Sequence, residues 1–258
     1  MCSYLLLSKG PKKMKLCLAG LNSIRRLTYP VLKDIPFVLE SFYYIQDYEI
    51  PLIKNAELFL LDSGAFTFMN ARQNKAIDWN EYLDRYIEFI NKHDVDYFFE
   101  LDIDSVVGYE QVLKLRKRLE KETNKQCIPV WHKSRGIDEF KKLCEEYKYI
   151  AIGGIVTGEI ERSEYPIMKK LVAYANSKGV KVHGLGFTER HIENYGFYSV
   201  DSTTWNMVSR FGKIYKFTGN KIIVATPKNK MIDKSKYEEG EVHNIREWIK
   251  YQKYLKRL

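Results

Sequence analysis

Four aspartates carry the most chemical information in this sequence: Asp62, Asp102, Asp104 and Asp201. All follow short apolar runs. Leu58–Leu61 leads into Asp62-Ser63-Gly64-Ala65-Phe66, Tyr97–Leu101 into Asp102-Ile103-Asp104-Ser105, and Ser199-Val200 into Asp201-Ser202-Thr203-Thr204. Other runs end in His132, in Gly153-Gly154-Ile155 and in His183-Gly184-Leu185-Gly186. One aspartate at a strand end is most often a helix cap. Polar clusters at six strand ends point instead to one shared site. Two carboxylates across the anomeric carbon of a sugar can run a retaining double displacement, one attacking and the other moving protons. A carboxylate ring also suits Mg²⁺. The glycines favour the first use, because they let backbone N–H groups approach a planar base. Asp102 can accept two hydrogen bonds from the edge of guanine, and the Gly154 N–H can donate to its carbonyl. His132 can meet a polar edge and Phe66 can stack on a face. Phe66, His132 and His183 each have a plainer use as core residues.

The elements that would position these groups alternate along the chain. Apolar runs at Leu16–Leu21, Leu58–Leu61, Tyr97–Ile103, Cys127–Trp131, Tyr149–Ile155, Lys181–Leu185, Tyr198–Val200 and Lys221–Ala225 read as strands. Helical stripes lie between most of them. Leu83, Tyr86, Ile87 and Ile90 mark one in Asp78–His93, with Asp78 as its cap. Phe140, Leu143, Cys144 and Tyr147 mark another in Ile137–Lys148. Eight such units predict an α/β fold of (β/α)8 TIM-barrel type, with a doubly wound open sheet as the alternative. In a barrel the six polar clusters converge on one mouth. The expectation is a single domain over 1–258, with 241–258 an amphipathic C-terminal helix on Ile245, Trp248, Ile249 and Leu255.

The 258 residues carry 42 Lys and Arg against 33 Asp and Glu, a net charge of +9, which favours a polyanionic partner. With 45% hydrophobic and 29% charged residues the chain is a folding composition. No apolar run reaches the length of a membrane span, and the first residues do not read as a signal peptide. The four cysteines form no CxxC pair and suit free thiols in a reducing cytoplasm. No metal site and no cofactor are expected.

Four motifs together resemble the tRNA-guanine transglycosylase superfamily. Asp62-Ser63-Gly64-Ala65-Phe66 is similar to its DSGGF motif, and Ile152 to Glu159 (IGGIVTGE) to its IGGLAVGE segment. Val182-His183-Gly184-Leu185-Gly186 resembles its LMGVG strand, and Gly196 to Asp201 keeps the spacing from a glycine to the nucleophilic aspartate. Order and spacing agree over about residues 58–212. The resemblance implies Asp201 as nucleophile, Asp62 as general acid/base and Asp102 as reader of the guanine edge. It implies base contacts from Gly153 and Gly154, with Phe66 and His183 on the two faces of the base. His183 stands where the family usually has Met, and His132 falls beside its base-binding Gln. A 7-deazaguanine (preQ0/preQ1-like) would be the incoming base, on a (β/α)8 barrel.

The departures also inform. No cysteine follows Cys144, so the family's zinc subdomain is absent. Ser202-Thr203-Thr204-Trp205 replaces a segment that supplies an arginine, and Arg210 is the candidate phosphate contact in its place. The compact form is most similar to the phage-type members that place 7-deazaguanines in DNA. The expected reaction is therefore exchange of guanine for a 7-deazaguanine in DNA, in the host cytoplasm, with tRNA as the alternative partner. Two other classes stay open. One is a metal-dependent hydrolase using Asp62, Asp102, Asp104 and His183. The other is a nucleic-acid-binding barrel without catalysis.

Overall fold

The computed structural model describes residues 14–21, 29–65, 67, 77–227 and 234–258. Seven parallel strands run in the order β3-β2-β1-β7-β6-β5-β4. They are β1 (Lys15–Ala19), β2 (Phe37–Ser41), β3 (Leu58–Asp62), β4 (Val130–Trp131), β5 (Tyr149–Ile152), β6 (Lys181–Gly184) and β7 (Ser199–Ser202). The two edges are joined by one more short segment. Phe98 bridges in parallel to Leu61 of β3, and Phe99 to Ile128 just ahead of β4. The ring thus has eight parallel segments, a TIM-type (β/α)8 barrel.

The crossovers carry α1 (Tyr29–Leu32) and α2 (Ile50–Ile53), each a single turn. Then come α3 (Trp79–His93), α4 (Asp104–Val107), α5 (Tyr109–Thr123), α6 (Gly136–Glu146) and α7 (Tyr165–Ser177). Asp78 caps α3, its carboxylate accepting from the Asn80 and Glu81 amides at 2.9 and 3.2 Å. An antiparallel hairpin, β8 (Ile214–Phe217) and β9 (Ile222–Ala225), precedes the last helix, α8 (Lys234–Leu255). Inside α8, the Gln252 amide donates to the carbonyls of Leu16 and Phe37 at 2.7 and 2.8 Å, tying the helix to β1 and β2. Among the described residues, no helix is long and apolar enough to cross a membrane.

Strand side chains alternate between two faces. One row, including Cys17, Leu39, Leu60, Phe99, Val130 and Ala151, forms a buried cluster inside the ring. The other row, including Leu18, Val38, Leu61, Ile150, Val182 and Val200, packs outward with the helices. The inward row decides what reaches the mouth. Asp62 lies two residues beyond Leu60, His132 two beyond Val130 and Gly153 two beyond Ala151. Asp201 lies level with Cys17, and His183 lies level with both Ala151 and Ser199.

Two expectations need correction. Lys221–Ala225 is not a barrel strand; it pairs back on Ile214–Phe217 across a tight turn. The missing strand is Phe37–Ser41, whose register runs between β1 and β3. The C-terminal helix also begins at residue 234, earlier than residue 241. Cys17, Cys127 and Cys144 are free and buried, as expected; Cys2 lies outside the described residues.

Candidate active site

A cavity of about 410 Å³ opens at the carboxyl ends of the strands. Asp62, Asp102, His132, Gly153, Gly154 and Asp201 all line it. The barrel therefore brings together six of the residues expected at the site, from five different strand ends. This is the face where such barrels place their chemistry.

Asp201 is held by one oxygen. Its Oδ1 accepts from the Gly186 N–H at 2.7 Å and contacts His183 Nε2 at 3.2 Å. His183 in turn contacts the Ser199 hydroxyl through Nδ1 at 2.6 Å, and Tyr149 closes the row on the same hydroxyl. In the imidazole tautomer that donates from Nε2 to Asp201, Nδ1 accepts from the Ser199 hydroxyl, which in turn accepts from Tyr149. The row fixes the tautomer and the carboxylate together. His183 is fully buried, with Phe99 edge-on at 5.3 Å between centroids. This corrects the expected role of His183: it does not line the cavity as a base platform, but braces Asp201 from below. Gly186 has φ +66°, and a Cβ there would meet Val156 at 2.3 Å, so glycine is what lets its amide reach Asp201.

Asp62 is held differently. Its Oδ2 accepts from the Gly64 N–H at 2.9 Å. Burial pushes its carboxyl up to about 6, with the negative charges of Asp102 and Asp201 adding to the rise and the Gly64 amide opposing it. A carboxyl that titrates near neutrality can both give and take a proton. Nearby, Glu40 lines the same cavity with its Oε1 accepting from the Leu21 amide at 2.7 Å. Burial, helped by the charge of Glu49, pushes Glu40 up to about 8.

Across the mouth the carboxylates are paired with cations. His132 lies between Asp102 and Glu159, at 2.7 Å through Nε2 and 3.0 Å through Nδ1. Burial alone would lower the imidazole, but the Asp102, Asp104 and Glu159 carboxylates outweigh it and push it up to about 9. Glu159 also accepts from the Ser134 N–H at 2.7 Å. Arg135, buried against the Tyr109 ring, reaches Asp104 at 2.9 Å and Glu100 at 3.1 Å. Arg116 completes the group on Glu100 at 2.6 Å. His132 is thus saturated by carboxylates, which corrects its expected place on a base edge; it orients Asp102. Gly153 makes room for this ring, since a Cβ there would lie 2.7 Å from it. Gly154 lines the cavity with φ +80°, and its N–H has no acceptor among the described residues. Glu159, Arg135 and Glu40 are members of the site that sequence reasoning did not single out.

Asp102, Asp104 and His132 offer ligand atoms within 4.8 Å of one another. These atoms are engaged within the protein: His132 by Asp102 and Glu159, and Asp104 by the Arg135 guanidinium. Of the set expected for a metal hydrolase, His183 stands apart on Ser199 and Asp201. Arg210 is exposed and does not line the cavity, and Phe66 lies outside the described residues.

The fold and the cavity define a (β/α)8 barrel with a carboxylate-lined site at its carboxyl face. No family model matches the sequence, and no curated protein matches it. Among solved structures, one similar chain is described as a "putative fructose-1,6-biphosphate aldolase" from Coccidioides immitis. The similarity covers 95% of this chain and 88% of that one, with a TM-score of 0.52 and 13% identity. At that identity the likeness concerns the fold alone.

Proposed function

We propose that this barrel is a base-exchange transglycosylase that replaces guanine in DNA with a 7-deazaguanine. The observation that carries the reading is the pairing of two unlike carboxylates in one cavity. Asp201 is fixed through Oδ1 alone, and Asp62 titrates at about 6. The remaining Asp201 oxygen attacks C1′ as the bond to guanine N9 breaks. Asp62 gives its proton to the departing base. A 7-deazaguanine then enters, loses its N9 proton to Asp62 and attacks C1′, and the Asp201 carboxylate departs. Two inversions give net retention. The Gly186 N–H and His183 support the charge that returns to Asp201. Asp102, held by His132, accepts from the N1–H and N2–H₂ edge, and the Gly154 N–H donates to the carbonyl. Base exchange of this kind needs the guanine unstacked or extruded.

The test is incorporation of labelled guanine or 7-deazaguanine, with DNA and tRNA offered in parallel. DNA is the expected acceptor. Incorporation into tRNA alone would keep the chemistry and replace the partner. Activity that a chelator abolishes would favour the hydrolase reading instead.

A further inference from the structure

The positive charge of this chain is unevenly placed. Residues 202–227, directly after the strand that bears Asp201, hold Arg210, Lys213, Lys216 and Lys221 and no Asp or Glu. Those 26 residues therefore carry four of the nine net positive charges; the other 232 residues carry five. All four cations are exposed, and none ion-pairs with a described residue. Elsewhere some cations are neutralised, among them Arg116, Arg118, Lys125, Arg135 and Arg162, while others, such as Lys142, Lys169 and Lys170, are exposed with no ion pair to a described residue but lie away from the segment that lines the cavity. Unpaired cations on a rigid support, next to a site, mark a surface kept for an external anion.

The support is rigid. Trp205 is fully buried and donates to the Ala19 carbonyl at 2.8 Å. Ser209 is buried and bonded to Asn244 of α8, which also accepts from the Tyr215 amide at 2.7 Å. Tyr215 packs edge-on against Trp248, and Phe217 lies over Tyr251 and Tyr254. From this base the turn Ser209–Phe211 projects a large apolar side chain into solvent: Phe211 is 76% exposed, the highest value among the exposed large hydrophobic side chains. Met207, beside it, is 57% exposed. An aromatic side chain flanked by unpaired cations is what a single-stranded nucleic acid needs, a face for a base and charges for its backbone. The segment is also continuous with the site, because Ser202, Thr203 and Thr204 line the cavity.

We propose that residues 202–227 form the nucleic-acid-holding surface of this protein, with Arg210, Lys213, Lys216 and Lys221 on phosphates and Phe211 stacked on an unpaired base beside the reacting nucleotide. The choice of nucleic acid as occupant rests on the base-exchange reading. Binding, measured without any incoming base, separates the two.

The experiment is equilibrium binding of a fluorescent single-stranded DNA over a series of salt concentrations. Wild type is compared with a triple variant, Lys213→Gln, Lys216→Gln and Lys221→Gln, and with a control triple on other faces, Lys142→Gln, Lys169→Gln and Lys170→Gln. All six lysines are exposed, so thermal melts should coincide. The expected result is a salt slope shallower by about 0.7 per lost phosphate contact in the first triple only. Phe211→Ala should weaken binding about tenfold with the slope unchanged. Equal losses in both triples would overturn the surface while leaving the base-exchange reading intact. So would unaltered DNA binding in the first triple with loss of binding to anionic vesicles. Selective loss in the first triple, in a protein that exchanges no base, would keep the surface and remove the reaction.

Discussion

The two sides of the mouth handle negative charge in opposite ways. On the side of β1, β2, β3 and β7, Glu40, Asp62 and Asp201 have no lysine or arginine within ion-pair distance among the described residues; backbone amides and a histidine hold them instead. On the side of β4 and the segments around it, Glu100, Asp102, Asp104 and Glu159 are matched by Arg116, His132 and Arg135. The first arrangement leaves proton affinities free to rise, as they do for Asp62 and Glu40. The second locks charges in place. A reaction that moves protons needs the first, and a rigid acceptor for a base edge needs the second. Under the proposed base exchange, the first side would carry the proton transfers and the second would hold the edge of the base.

The contrast can be broken at its reactive side first. Asp201→Asn is expected to lower exchange by about 10⁴-fold or more, and to remove any strand covalently trapped on denaturing gels. Full activity in that variant would end the assignment. On the paired side, His132→Gln removes the cation between two acids. His132 binds its proton more tightly when folded, so its contribution is complete below about 6.5 and is lost as pH rises through about 9. The variant should lose about 3 kcal/mol at pH 6 and little at pH 10, read from denaturant melts. Glu40→Gln should do the opposite. Folded Glu40 keeps its proton up to about 8, so wild-type stability falls as pH rises from about 4.5 through that value. The variant should gain about 5 kcal/mol at pH 9 and nothing at pH 4. Asp62→Asn should behave in the same sense with a smaller gain, about 3 kcal/mol, complete above about 6, while it blocks proton transfer. If these two variants lost stability at high pH, the two sides would not differ as described.

Much of the site was legible because polar residues at strand ends stand out against apolar runs. Asp62, Asp102, Gly153, Gly154 and Asp201 were all found that way, and all line the cavity. What local reading cannot supply is register between distant strands. The inward face of His183 follows from its alignment with Ala151 and Ser199, and nothing in Val182-His183-Gly184 announces it. His132 was visible, but its saturation depends on Glu159, which lies 27 positions away. Strand Phe37–Ser41 is hard to see in the sequence because Glu40, a buried acid, breaks its apolar pattern. Lys221–Ala225 was placed in the barrel because an Ile-Ile-Val-Ala run has the same composition whether it pairs with a neighbour in a ring or turns back on itself.

The barrel closes through single bridges at Phe98 and Phe99, where every other junction is a ladder. The Tyr86 hydroxyl from α3 sits over this junction, 3.1 Å from the Leu61 carbonyl and 3.0 Å from that of Phe99. Two backbone hydrogen bonds cross each of these junctions, and the phenol adds a side-chain contact to the first of them. Asp62 stands at one lip of the gap and Asp102 at the other. Amide hydrogen exchange should find the shortest-lived protection of the ring at Leu61, Phe99 and Ile128, and the width between Asp62 and Asp102 is the dimension that such breathing changes.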